Sequence, residues 1–256
     1  HHLELVDEER RSDLTLRERR TVIQLRRATR RQLSRAPRLI VASSRLKSEV
    51  ARFRRADDIP VVPVALDPAL YPTVAVTSAP TVGVIGSMNW YPSRSAAVRV
   101  LERLWPAIVA AMPDAQLLVA GWNADRYLGH YFPLPGARLV GAVEHPEDFF
   151  GRVSVLLYPP PRGSGMKIKV LEALAYGVPV VTNAEGAEGL DVVDHTPVSI
   201  AETDEALVGE TLALLSDQGL RDRLRQAGRR TVEEQFSPEP AVDRLLEAYA
   251  QVGLQA

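Results

Sequence analysis

Two lysines and a glutamate gathered in one glycine-rich segment, Gly163-Ser164-Gly165-Met166-Lys167-Ile168-Lys169-Val170-Leu171-Glu172, are the residues here best suited to chemistry. Glycines let a ligand approach the backbone closely, and a helix that starts just after them offers its first N–H groups to an anion. A lysine ammonium is a compact point charge that suits phosphate. An ionised glutamate accepts two hydroxyl hydrogen bonds at once. The pattern therefore points to a diphosphate with a hydroxylated group beside it. Only Lys47, Lys167 and Lys169 are lysines, against 28 arginines, so two lysines in one turn stand out. A plainer reading of the same residues is a capped helix start with Ser164 bonding first-turn amides, lysines on a solvated face, and Lys169–Glu172 as an i,i+3 ion pair.

The elements that must position this segment follow from periodicity. From Thr81 onward, short apolar runs alternate with helical patterns: strands over Thr81–Gly86, Gln116–Ala120, Arg138–Val140, Val153–Tyr158 and Pro179–Thr182, helices over Arg94–Met112, Pro146–Phe150 and Met166–Tyr176. The strands are nearly continuous in Val, Leu and Ile, as expected of a parallel sheet covered on both faces. Three helices then close the domain, Asp204–Leu215, Gln218–Phe236 and about Pro238–Val252. The fold class expected is α/β, a doubly wound parallel sheet. Before it lie a long arginine-rich helix from about Leu14 to Arg35, two short strands (Arg38–Ala42 and Pro60–Ala65), a helix to Phe53, and a proline-rich linker over Tyr71–Pro80.

In such a sheet ligands bind at the carboxyl ends of strands. That makes the turn Gly86-Ser87-Met88-Asn89 a candidate, with Arg94 in the next helix as a further phosphate contact. Gly121-Trp122-Asn123, Val143-Glu144-His145 and the turn holding Glu185, Gly186 and Glu188 follow other strands. Trp90 reads as core or interface, and His145 as a solvated loop residue.

Composition narrows the classes. The chain of 256 residues has no cysteine, which excludes disulfides and Cys-ligated metal sites and suits a reducing, cytoplasmic setting. A formal charge of −1 argues against a strongly basic nucleic-acid binder. No run reaches the roughly 20 apolar residues of a membrane span. The arginine-rich helix offers a peripheral contact for anionic lipid, or simply a solvated face. His1-His2 reads as a purification-tag remnant.

The turn Gly86-Ser87-Met88-Asn89-Trp90-Tyr91-Pro92, Trp105-Pro106, Pro113-Asp114-Ala115, Gly121, Gly141-Ala142-Val143, the block Gly163–Ala175, Gly177-Val178-Pro179-Val180-Val181 and Gly186-Ala187-Glu188-Gly189-Leu190 occur in this order over residues 81–190. Together they resemble the retaining GT-B glycosyltransferases of family 4, in a bacterial branch. The resemblance implies transfer of a sugar from a nucleoside-diphosphate sugar to a hydroxyl acceptor, with no metal and no other cofactor. It implies donor contacts from Gly86, Ser87, Met88, Arg94, Gly163, Ser164, Gly165, Met166, Lys167 and Lys169, with Glu172 on the ribose and Gly121, Trp122, Val143 and Glu144 flanking the base. The acceptor would be a glycan, a lipid-linked or a small hydroxyl compound.

The family pattern has two glutamates with seven residues between them; counting back from Glu172 reaches Ser164, so the first carboxylate is missing. No catalytic residue is assigned. Residues 1–76 are expected to be the tail of an acceptor-side domain, 77–236 the donor domain, and 237–256 a helix returning toward the first. An epimerase of the same fold and a nucleotide-sugar-binding module without turnover remain alternatives.

Overall fold

The computed structural model describes residues 15–36, 38–53, 55, 59–75, 77, 79–163, 165–190 and 197–251. The elements upstream of the sheet are α1 (Leu16–Arg35) and α2 (Ser44–Val50). The two upstream strands expected from the sequence do not form ladders. Val41 and Val61 make a single parallel bridge instead, over a small core of Leu33, Val41, Leu46, Val50 and Ile59. With no further strand beside them among the described residues, only one rung is paired.

The main domain is a sheet of six parallel strands in the order β3-β2-β1-β4-β5-β6. The strands are β1 (Thr81–Ile85), β2 (Gln116–Ala120), β3 (Ala137–Gly141), β4 (Val155–Tyr158), β5 (Val180–Thr182) and β6 (Ser199–Ile200). Their side chains alternate between two cores, which is why the strands read as unbroken apolar runs. Val82, Val84, Leu117, Val119, Val155 and Leu157 face one side, with Leu101, Leu104, Trp105 and Ile108. Leu118, Ala120, Leu156, Tyr158 and Val180 face the other, with Phe149, Phe150, Val170, Leu171 and Leu174.

The first crossover is one helical run with a wide turn in its middle. α3 (Tyr91–Arg99) passes through a π segment at Val100–Leu104 into α4 (Trp105–Ala111). Pro106 has no N–H to give the preceding turn, and the backbone widens there so that the Trp105 N–H bonds the Val100 carbonyl. Then come α5 (Ala124–Leu128), α6 (Pro146–Phe150) and α7 (Ile168–Tyr176). α7 starts two residues later than the sequence suggests, leaving Met166 and Lys167 in the loop, and stops where Gly177 takes the left-handed conformation, φ 76°. α8 (Asp204–Ser216), α9 (Gln218–Gln235) and α10 (Pro238–Gln251) complete the domain.

The proline-rich segment before β1 is stitched down. The Leu66 N–H donates to the Phe236 carbonyl at 2.7 Å and the Val74 N–H to the Tyr176 carbonyl at 3.0 Å. One nitrogen of the Arg229 guanidinium donates to both Tyr71 and Ala175 carbonyls at 2.6 Å, so α9, the end of α7 and the segment share one hub. Arg225 donates to the Val74 carbonyl. His1-His2, Leu14 and Val252 lie outside the described residues.

Candidate functional site

Strand order reverses between β1 and β4: β1 leads away to β2, whereas β4 lies on its other side. A crevice opens at the carboxyl ends of two such strands because their loops depart in opposite directions. The loop after β1 begins at Gly86 and the loop after β4 runs from Pro159 to Lys167.

Lys169, in the first turn of α7, is aimed into this crevice. Its ammonium donates to the Ser93 hydroxyl at the start of α3 and lies 4.5 Å from the centroid of the Tyr158 ring. The i,i+3 ion pair with Glu172 that the plainer reading of the sequence offers is not made. Burial lowers the Lys169 pKa from its ordinary 10.5 to about 8; Glu172 partly offsets this, and Lys167 adds to it. An ammonium held here between one hydroxyl and a ring face, with the Glu172 charge offsetting its burial only in part, is under-compensated, and a phosphate would supply the missing negative charge.

Gly86 touches this lysine directly. A Cβ at position 86 would stand 2.6 Å from the Lys169 Nζ and 3.0 Å from the Ser93 Oγ. Gly121, at the end of β2, backs the same turn: a Cβ there would meet the Gly86 carbonyl oxygen at 1.8 Å. Gly121 is therefore a packing requirement of the β1 turn, with its surface buried.

Met88 is turned into the core. Its side chain is fully buried; its N–H donates to the Trp122 carbonyl at 2.9 Å, and its own carbonyl accepts from Arg94 at 2.9 Å. Arg94 lies over the Tyr127 ring at 4.7 Å, where it braces the turn. Ser87 is exposed. Trp90 is 42% exposed rather than core, and Trp122 is 63% exposed. Val143 is partly buried, and Glu144 and His145 are exposed.

The glycine loop differs most from expectation. Its Gly163 and Gly165 N–H groups do not stand open to a diphosphate. Gly163 donates to Glu185 Oε2 at 3.1 Å and Gly165 to Glu188 Oε1 at 3.0 Å. Both carboxylates come from the turn after β5. Lys167 bends the same way, donating to the Gly165 carbonyl and lying 3.7 Å from Glu188 Oε2. The two lysines thus part company: Lys169 faces the crevice and Lys167 the acidic turn. Met166 is buried, and Ser164 lies outside the described residues.

Glu172 sits partly buried one turn beyond Lys169, with no hydrogen bond or ion pair among the described residues. Burial raises its pKa from the ordinary carboxylate value, and Lys169 opposes that rise. An acceptor with its lone pairs unused suits hydroxyl binding.

Ser93, Tyr158 and Ser43 escaped the sequence reading. Ser93 follows Pro92 as any first-turn serine does, and Tyr158 ends an apolar strand as core tyrosines do. Among the described residues no group of three or more His, Asp or Glu side chains is placed to hold a metal ion, and no helix is long and apolar enough to cross a membrane.

Against known proteins, the model of a family described as glycosyl transferases group 1 matches residues 79–217. A GDP-mannose-dependent monoacylated alpha-(1-6)-phosphatidylinositol monomannoside mannosyltransferase of Corynebacterium glutamicum is 30% identical over 159 residues, 57% of this chain and 41% of that protein. The chain thus spans about two fifths of that relative. Among solved structures, sucrose-phosphate synthase of Thermosynechococcus elongatus superposes with TM-score 0.73 at 19% identity, over 98% of this chain and 66% of the other. HepE of Anabaena, in complex with UDP and glucose, gives 0.72 at 14%, over 98% and 70%. At these identities the structural likenesses speak for the fold.

Proposed function

The chain belongs to the family of glycosyl transferases group 1 and has the GT-B type of α/β fold, and from that premise we propose that it binds the donor of a glycosyl transfer. The donor is a nucleoside-diphosphate sugar, the acceptor a hydroxyl group, and the anomeric configuration is retained. The observation that carries this reading is the partly buried ammonium of Lys169 at the β1/β4 crevice, short of negative charge.

In this reading the diphosphate sits between the Gly86 turn and the start of α7. Lys169 and the N-terminal end of α7 take up the charge that grows on the leaving diphosphate, which requires no metal ion. Glu172 accepts the ribose hydroxyls. Trp122 and Val143, at the ends of β2 and β3, flank the base, beside the exposed Glu144. HepE in complex with UDP and glucose has the same fold, which supports a uridine or other nucleoside diphosphate as the first ligand to try.

The acceptor is a glycan, a lipid-linked or a small hydroxyl compound. An open groove of about 610 Å³ beside the glycine loop, lined by Arg45, Arg162, Asn183, Glu185 and Glu202, offers paired donors and acceptors for hydroxyls. The exposed Leu16 and Ile23 on the arginine-rich α1 support a peripheral contact with an anionic membrane at its cytoplasmic face. Nucleic acid has no part in the reading.

Calorimetry with UDP, GDP and ADP, and then with their sugars, tests it. Binding of one diphosphate in competition with its sugar is the expected result; no binding of any of them sinks the proposal. Donor hydrolysis in the presence and absence of EDTA then tests turnover and metal independence.

A further inference from the structure

Glu188 is among the most deeply buried carboxylates described, with its side chain 1% exposed. Its Oε1 accepts two hydrogen bonds, from the Ser43 hydroxyl at 2.6 Å and from the Gly165 N–H at 3.0 Å. Its Oε2 has no hydrogen-bond partner among the described residues, and the Lys167 ammonium stands 3.7 Å away. Leaving a buried carboxylate oxygen unpaired is costly, so a short movement of Lys167 toward it is favoured.

Ser43 belongs to a different part of the chain, 145 positions away. It is the N-cap of α2, where its oxygen also accepts the Leu46 N–H at 3.0 Å. One hydroxyl thus closes the start of α2 and donates to Glu188. A second link runs beside it: Arg45, also in the first turn of α2, contacts Glu185 at 2.6 Å, and Glu185 accepts the Gly163 N–H. Two carboxylates of one turn therefore each join a glycine-loop amide to the amino end of α2.

We infer that Glu188 is a positioning residue for the glycine loop, and that through Ser43 it makes the placement of Gly165 and Lys167 depend on the seating of α2. The physical ground is charge-assisted hydrogen bonding in a buried setting, where each bond restrains both partners and the chain is cooperative. When α2 is seated, the loop amides and Lys167 are held toward the turn after β5. When α2 is displaced, Glu188 loses half of its Oε1 partners and the loop is released. The coupling supplies a route by which upstream sequence sets donor binding, and that last step rests on the function proposed above.

The test uses the whole chain with four single variants, Ser43→Ala, Ser43→Thr, Glu188→Ala and Glu188→Gln, and the Ser43→Ala/Glu188→Ala double variant. Hydrogen exchange of the Gly163 and Gly165 amides and UDP affinity are read side by side, with thermal midpoints recorded. Ser43→Ala should speed Gly165 exchange about tenfold and weaken UDP by a similar factor, as expected for one lost charge-assisted bond. Ser43→Thr should restore both, because it keeps the hydroxyl. Adding Ser43→Ala to Glu188→Ala should bring no further loss, since both cut one chain.

A merely structural cap at Ser43 would lower the midpoint and leave Gly165 exchange as in the wild type; that result overturns the inference. If Glu188→Ala does not fold, Glu188→Gln and the two Ser43 variants carry the comparison. If UDP does not bind the wild type, the proposed function fails, while the exchange data still decide the coupling.

Discussion

The ammonium of Lys169 donates to the hydroxyl of Ser93, 76 positions away in sequence, and this contact joins the first turn of α7 to the first turn of α3 across the β1/β4 crevice. Each helix starts at the carboxyl edge of the sheet, so the lysine is held where two helix N-termini and two strand ends meet. Its position explains its low pKa.

Lys169→Met should separate ligand binding from stability. The methionine keeps the length and apolar stem of the side chain and removes a partly buried charge. Nucleoside-diphosphate affinity should fall by about 100-fold, as for a lost charge-assisted contact of about 3 kcal/mol. The thermal midpoint should hold or rise, since an under-compensated, partly buried ammonium opposes folding. Calorimetry with UDP and GDP beside a melting curve checks this, and unchanged affinity would remove Lys169 from the site.

The pH dependence has a defined sign. Lys169 titrates at about 8 in the folded protein against an ordinary 10.5, so the unfolded chain binds more protons between those values. Its contribution to stability should therefore rise from about pH 8 to about 10.5 and be flat below, where both states are protonated. Anion binding needs the ammonium, so diphosphate affinity should be level below pH 8. Above it, affinity should fall by up to about tenfold per pH unit. In Lys169→Met both slopes should vanish.

Glu172→Gln should weaken ribonucleotides selectively. A carboxylate accepting ribose hydroxyls contributes about 1.5–3 kcal/mol, so UDP should lose at least about tenfold in affinity. A dideoxyuridine diphosphate, lacking those hydroxyls, should bind wild type and variant alike. Equal losses for the two ligands would refute the ribose assignment.

The two glycines that meet at the β1 turn, Gly86 and Gly121, should differ in kind. Gly121→Ala drives a Cβ into the Gly86 carbonyl at 1.8 Å, a backbone clash that side-chain rotation cannot relieve, and should destabilise by about 3 kcal/mol or more. Gly86→Ala meets the far end of Lys169 at 2.6 Å, which can move away, and the Ser93 Oγ at 3.0 Å, which needs only a small shift. It should cost less stability and more diphosphate affinity. Denaturant unfolding and calorimetry on both variants check the contrast.

Much of this protein is written in local sequence. Continuous Val, Leu and Ile runs separated by three-to-four-spaced apolar helices determine a parallel sheet buried on both faces, because no other arrangement covers such strands. Lys169 and Glu172 were legible as binding candidates because lysine is rare here and both lie beside a glycine loop at a strand end. The upstream runs at 38–42 and 60–65 make one bridge and no ladder for a related reason: β-rich runs imply a ladder only where neighbours exist to pair with them.

What tertiary structure decided is where the charges go. Nothing in the spacing of Lys167 and Lys169 says that they diverge, one under Tyr158 and the other toward Glu188. The Gly163 and Gly165 amides looked open in sequence and are held by Glu185 and Glu188 in the fold. Ser43 carried no signal at all. Partners 22 to 145 positions apart are brought together by strand order and loop packing, and the resulting electrostatics depend on distance and burial rather than on residue type.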